Sequence, residues 1–306
     1  LTSSYNTALQ GAHEAAREQH YPPSALYVVA TPIGNLADIT LRALHVLSLA
    51  ERIACEDTRH TQALLRAYGI DKNPSQLIAL HQHNELEASQ VVVDCLRHGQ
   101  RVAYVSDAGT PGISDPGARL VEAVRALGLH AIPLPGASSV TTLLSVAGVS
   151  EDGHAANGFV FAGFLPGKAG ERKQAVQALA LEQRAVVLLE APHRIESLAQ
   201  ALAVLGLRLL TVGRELTKQF EEIATLPTEQ FPSWLAQDAN RLRGEFVLVV
   251  HPATKMVSDS AKDTRVLELL LTHLPVKTAV KLAADITGEP RNTLYELALS
   301  IKKSSP

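Results

Sequence analysis

Three loops rich in glycine, proline and small residues each follow a short apolar run: Thr31–Asp38, Ser106–Gly117 and Pro133–Ser139. Glycines let backbone amides and carbonyls approach a ligand closely. In open α/β sheets, ligands bind outside the carboxyl ends of the strands. One such loop alone would read as a tight turn closing the fold. Three on one presumed sheet edge point to a ligand site, of a kind that cradles a nucleoside without a phosphate fingerprint. No GxGxxG, GxxxxGK[ST] or HExxH string is present, so the usual nucleotide loops and the zincin motif are absent. His81 and His83 flank Gln82 with no third ligand in sight and read as a surface loop, so no metal is expected.

The elements that must hold these loops follow from periodicity. Strand-like runs are Leu26–Ala30, Arg52–Cys55, Leu77–Leu80, Val102–Ser106 and His130–Leu134. A helical pattern covers Ile39, Ala43, Val46, Leu47 and Ala50, with Asp38 as its candidate cap, and others cover Glu85–Arg97 and Ala118–Leu127. Strands alternating with helices predict an α/β layer with a largely parallel sheet. The polar stretch from Glu151 marks a boundary. After it, strand signals at Phe159–Phe164, Ala185–Glu190, Leu209–Arg214, Glu222–Thr225 and Phe246–Val250 enclose helices at Glu171–Leu181 and Ile195–Leu205. This second α/β unit is expected to have a mixed sheet. Three helical patterns close the chain, at Asp263–Leu274, Lys277–Ile286 and Asn292–Ile301. They form either a helix-turn-helix-like module or a packing appendage. The expected divisions are a disordered extension 1–24, lobes 25–150 and 151–252, a linker 253–262 and a helical module 263–306.

Composition narrows the field further. With 306 residues, 46% of them hydrophobic, the chain can bury a core of about two domains. No apolar run reaches the roughly 18 to 20 residues of a membrane helix, and the first two dozen residues lack the basic start and apolar stretch of a secretory signal. Cys55 and Cys95 have no CxxC partner and read as reduced thiols. A cytoplasmic location is expected. The net charge of −3 argues against a wholesale nucleic-acid coat but leaves room for a local basic patch.

The string from Leu26 to Thr40 (LYVVATPIGNLADIT) resembles the opening of the tetrapyrrole-methylase superfamily, and within it the bacterial 16S ribosomal RNA cytidine 2′-O-methyltransferases. Cys55–Thr61, the Ser106–Gly117 loop, Phe161–Pro166, Gly213–Lys218 and Arg243–Val250 extend the resemblance in the same order, to about Ile301. It implies a two-lobed tetrapyrrole-methylase-like fold with S-adenosylmethionine in the cleft between lobes, plus the small C-terminal helical module. It also implies a homodimer acting on a decoding-region cytidine of 16S rRNA in the small ribosomal subunit. Carried over by matching strings, cofactor contacts fall on Gly109, Thr110, Pro111, Gly112 and Ile113, on Ser138 and Ser139, and on Phe164 and Leu165. Gly34 and Asn35 would line the cleft near the methyl donor. Porphyrin-type branches often carry an acidic residue where Thr110 stands, which weakens the alternative of a tetrapyrrole methylase. A non-catalytic ribosome-binding protein with a vestigial cleft is the other alternative.

The implied chemistry requires a ribose hydroxyl to attack a sulfonium methyl in line, with a base or cation assisting as the proton leaves. Lys168, Glu190, Arg194 and Lys218 follow or end second-lobe strands; each is a catalytic candidate, and each has an alternative as a surface charge. Asp57 and Arg59 can equally pair with each other. RNA phosphates would meet Lys168, Arg172, Lys173, Arg194, Arg214 and Lys218, with Lys277, Lys281, Arg291, Lys302 and Lys303 added by the tail.

Overall fold

The computed structural model describes residues 5–81, 83–115, 117–149, 158–253 and 260–304. The first lobe runs α1 (Asn6–Ala16), β1 (Ala25–Val29), α2 (Leu41–Leu49), β2 (Arg52–Cys55), α3 (Thr58–Ala67), β3 (Leu77–Ala79), α4 (Glu85–Arg97), β4 (Val102–Val105), α5 (Gly117–Ala126), β5 (His130–Leu134) and α6 (Ser139–Val146). The second runs β6 (Phe159–Phe164), α7 (Ala169–Leu181), β7 (Ala185–Glu190), α8 (Ile195–Leu202), β8 (Leu209–Arg214), β9 (Glu222–Pro227), α9 (Phe231–Ala236) and β10 (Phe246–Val250). The chain then continues with α10 (Ser260–His273), α11 (Val276–Thr287) and α12 (Arg291–Ser304).

The first sheet has the order β3-β2-β4-β1-β5 and every pairing in it is parallel. Its two faces carry different cores. Tyr27, Val29, Ile53, Cys55 and Val105 pack with residues of α1, α2 and α3, while Leu26, Ala54, Val102 and Tyr104 pack with residues of α4 and α5. The chain leaving β1 therefore turns to one face, and the chain leaving its neighbour β4 turns to the other. A crevice opens where adjacent strands diverge in this way. It is spanned by the loops after β1 and β4, which pair through Thr31 and Gly109: each backbone amide donates to the other's carbonyl, at 2.9 and 3.0 Å.

The second sheet is mixed. β6 and β7 are parallel, while β10 runs antiparallel to both β7 and β8, and β8 to β9. One face packs against α7, α8 and α9. The other shares a core with the first lobe: Val187, Val247, Val249 and Leu216 meet Ile33 and the α6 residues Val140 and Leu143. The lobes thus touch through packed apolar side chains below the crevice.

Four expectations are corrected. Residues 6–16 are not a disordered extension but helix α1, whose Ala12 and Ala16 are buried in the first-lobe core. Asp38 does not cap α2; it ends a short 3-10 turn, and Thr40 Oγ1 accepts from Ala43 N instead. α10 begins at Ser260, inside the span expected to be linker. The pattern at Ile195–Leu205 divides into α8 and a 3-10 turn. The boundary at 151 and the linker residues 254–259 lie outside the described residues. The last three helices enclose their own core of Leu267, Val280, Ala283, Leu294 and Ala298, to which no described residue of either lobe contributes. No helix among the described residues is long and apolar enough to cross a membrane.

Candidate active-site cleft

Three adjoining cavities line the crevice. The first, about 220 Å³, is walled by Glu56, Asp107, Gly109, Thr110, Ile113, Asp115, Ser138 and Ser139. The second, about 380 Å³, lies between Pro32, Ile33, Gly34 and Leu36 on one side and His60, Ala63, Leu64 and Ala67 of α3 on the other, with Lys218 and Glu245 at its second-lobe wall. The third, about 440 Å³, is mainly apolar, with Ile33, Phe164, Leu189, Pro192, Leu216, Phe246 and Val247 in its walls. Ala108 borders all three, and Asp107 borders the first two.

The first-lobe side is shaped by backbone. Thr110 Oγ1 donates to Ala137 O at 3.0 Å, which ties the loop after β4 to the loop after β5. Gly112 N donates to both Asp115 carboxylate oxygens at 2.8 Å, and Tyr104 OH donates to Asp115 Oδ1 at 2.7 Å. Gly109 and Gly112 both take φ +81°, a conformation that costs a residue with a Cβ. Glu56, Asp107 and Asp115 bring three carboxyls into one cavity. Burial pushes the Glu56 carboxyl up to about 7, with the charges of Asp107 and Asp115 adding to the shift.

The second-lobe side depends on paired charges. Lys218 Nζ donates to Glu215 Oε1 at 2.9 Å and to Glu245 Oε2 at 3.1 Å. Burial opposes its charge, but these two carboxylates outweigh burial and raise its pKa. The turn that carries it holds Glu215 and Thr217 at φ +51° and +67°. Thr217 Oγ1 accepts from Asn35 N at 3.0 Å, so this strained turn latches onto the loop after β1. Gly34 fits against it only because it lacks a side chain: a Cβ there would meet Lys218 Cγ, Thr217 Oγ1 at 2.7 Å and Leu216 O at 3.0 Å.

Most of the residues expected at the site do gather in the crevice. Gly34, Gly109, Thr110, Ile113, Ser138, Ser139 and Phe164 line it, and Asn35 holds the latch. Pro111 and Gly112 belong to the same loop but are not among the lining residues. Leu165 points its side chain into the second-lobe core, so only its backbone is on offer. Of the catalytic candidates, only Lys218 presents its side chain to the crevice. Glu190 stands in the third cavity's wall with its side chain fully enclosed (0% exposed), its Oε1 accepting from Ala191 N at 2.9 Å and lying 3.0 Å from Arg194 Nε. Arg194 also donates to Leu165 O. Lys168 is 84% exposed and pairs with Glu171 at 3.3 Å.

The expected phosphate contacts also thin out. Arg172 is buried, donating to Pro166 O, Gly167 O and Ser197 Oγ, and Arg214 is buried, donating to Arg243 O and Phe220 O. These two guanidiniums stitch loops together and are not open to RNA. Lys173, Lys277 and Lys281 are exposed, and Arg291 pairs with Asp285 at 3.4 Å. The Lys302 and Lys303 side chains lie outside those described. Asp57 caps α3 and pairs with Arg59 at 3.0 Å, the structural alternative for both. The reading of the residues missed the helix α3 itself, although Asp57 before Thr61 and Leu65 is a capped helical pattern. With α3 it missed His60, and it also passed over Glu56, Asp107, Asp115 and Glu245.

A parallel α/β lobe, joined to a mixed-sheet lobe over a crevice at its strand ends, defines a methylase fold. The profile of the tetrapyrrole (corrin/porphyrin) methylases matches residues 25–232, and that of the RsmI C-terminal HTH domain matches residues 257–302. Uroporphyrin-III-C-methyltransferase from Thermus thermophilus superimposes with a TM-score of 0.53 at 21% identity, over 78% of this chain and 98% of its own. Sequence relatives are closer. Ribosomal RNA small subunit methyltransferase I of Escherichia coli O157:H7 is 45% identical over 90% of this chain and 94% of its own length. The protein of the same name from Pseudomonas aeruginosa is 46% identical over 90% and 96%. The chain belongs to the ribosomal RNA small subunit methyltransferase I family of tetrapyrrole-methylase-fold proteins.

Proposed function

We propose that the chain is a cytoplasmic methyltransferase that uses S-adenosylmethionine to methylate the 2′-hydroxyl of a cytidine in the decoding region of 16S rRNA. Its substrate would be the small ribosomal subunit, and it would act as a homodimer. Its working parts would be lobes 25–150 and 151–252 and the helical unit from residue 260. The observation that carries this reading is the continuity of the three cavities through Asp107 and Ala108: a donor in the acid-lined and apolar parts can meet an acceptor in the part walled by α3.

The residues suit a cationic nucleoside cofactor. Glu56, Asp107 and Asp115 offer negative charge to its ammonium and sulfonium groups, Ser138 and Ser139 and the backbone of Gly109–Ile113 offer polar contacts, and Phe164 and Phe246 offer an apolar wall. S-adenosylmethionine supplies an electrophilic methyl group. The chain's part is to fix the line of approach and exclude water, which the interlobe latch at Asn35 and Thr217 supports. Lys173 and the helical unit's Lys277 and Lys281 would take RNA phosphates.

Incubation with labelled S-adenosylmethionine and either undermethylated small subunits or a uroporphyrinogen-type tetrapyrrole tests the reading. Label in the RNA is expected. Label in the tetrapyrrole with none in RNA would assign the chain to the small-molecule branch. Failure to bind cofactor at all would support a non-catalytic ribosome binder.

A further inference from the structure

Helix α3 presents one stripe to the acceptor cavity: His60, Ala63, Leu64 and Ala67, spaced as i, i+3, i+4 and i+7. Three of the four are apolar and two of them are alanine, so the stripe leaves room for a nucleotide. His60 is its one titratable group. Asp57 fixes its place by accepting from His60 N at 3.4 Å and Arg59 N at 2.8 Å, which sets the first turn of the helix. The ring is exposed, and no hydrogen bond to it is found among the described residues.

The other charged groups around this cavity are paired or, like Asp107, shared with the first cavity, where the proposed function sets them against the cofactor's positive charge. Lys218 is held as a cation between Glu215 and Glu245, so it has no lone pair to accept a proton. Glu245 is engaged with that same lysine. Asp107, from the loop after β4, accepts from Asp57 N at 3.3 Å. At the start of α3, the capping Asp57 and Arg59 neutralise each other, and Glu56 just before them faces the first cavity. A neutral imidazole carries a ring lone pair that can take up a proton, which suits it to general-base work.

We propose that His60 is the general base that accepts the proton of the ribose 2′-hydroxyl during methyl transfer. This rests on the functional reading above. As the hydroxyl oxygen forms its new bond to the methyl carbon, the carbon–sulfur bond breaks and its electron pair stays on sulfur. The hydroxyl proton passes to a ring nitrogen of His60, and the imidazolium then releases it to solvent. Charge balances: one sulfonium is consumed and one imidazolium formed. Lys218, across the cavity, orients the acceptor and does not take the proton.

The test uses the full-length protein, undermethylated small subunits and the variants His60→Gln and His60→Ala. Wild-type kcat should rise tenfold per pH unit on the acid side and then level off, the limb of a single base that must be unprotonated. Both variants should lose about a hundredfold or more in kcat at neutral pH and lose that limb of the profile. Their Kd for S-adenosylhomocysteine and for subunits should stay within twofold of wild type. Imidazole added to His60→Ala should restore part of the rate. A readout free of turnover is the ring resonance of His60 in the S-adenosylhomocysteine complex, which should shift when subunit-derived RNA binds. Variants with kcat within threefold of wild type would overturn the proposal, as would a loss confined to RNA affinity with the pH limb intact. An inactive wild-type protein would instead overturn the functional reading beneath it.

Discussion

The two walls of the crevice are built by different means. The first-lobe wall is backbone: loops at the carboxyl ends of a parallel sheet, bent by glycines at positive φ and tied by Thr31, Gly109 and Thr110. The second-lobe wall is side chains locked in place by pairing, with Lys218 between two glutamates and Arg194 on Glu190. The first wall offers unfilled space and carboxyls that make no ion pair among the described residues, and the second offers apolar surface and paired charge. In the proposed reaction, a ligand carrying positive charge would be oriented by the first lobe and covered by the second.

The largest effect should come from breaking the joint between the walls. Gly34→Val puts branched carbon into Thr217, Lys218 and the Leu216 carbonyl, forcing the loop after β1 off the strained turn. Methylation should fall about a hundredfold, the cost of misplacing reacting groups by an ångström. Circular dichroism should show a folded protein. Activity within threefold of wild type would mean the latch does not shape the site.

Removing the chain after Ala253 separates the crevice from the helical unit, whose core is its own. Small-subunit affinity should drop tenfold or more, most visibly at low salt where lost phosphate contacts count most. Calorimetry should find S-adenosylhomocysteine affinity unchanged. If cofactor affinity fell with it, the helices would be supporting the lobes.

The acid of the first wall makes a pH prediction. The Glu56 carboxyl titrates at about 7 in the free protein, raised first by burial and then by Asp107 and Asp115. A cationic ligand prefers it ionised, so binding below pH 7 must expel a proton, while binding above pH 7 need not. Affinity for S-adenosylmethionine should therefore fall as pH drops through 7, by about tenfold per unit at most and levelling off above it. Titration calorimetry at pH 6, 7 and 8 checks this, and Glu56→Gln should flatten the profile. A flat wild-type profile would take Glu56 out of the cofactor's surroundings.

Gly112→Val is the mildest change. Nothing lies within 4 Å of a Cβ at Gly112, so the effect is backbone strain at φ +81° and not a clash. A cost of about 1 kcal/mol, or roughly fivefold in cofactor affinity, is expected. Calorimetry showing no change would mean that the loop reshapes freely.

The same contrast explains what was legible in the sequence. Glycines and prolines after apolar runs declare backbone turns locally, so the first wall and both sheets could be read from single stretches. Pairing is not local. That Lys218 is neutralised by Glu245, that Arg172 and Arg214 are buried under carbonyls, and that Glu190 is sealed from the crevice depend on residues brought together by the fold. The tail of α1 illustrates the reverse error: its polar composition hides Ala12 and Ala16, which are small enough to pack closely against α2. His60 went unread because its role depends on α3 facing Gly34 across a cavity.

The most direct measurement is the mass of the modified nucleoside. Undermethylated small subunits are incubated with the protein and S-adenosylmethionine, and their RNA is digested to nucleosides and fragmented. The proposed reaction predicts 2′-O-methylcytidine, in which the added methyl stays on the sugar and the released base keeps the mass of cytosine. A methyl group carried on the released base would contradict it.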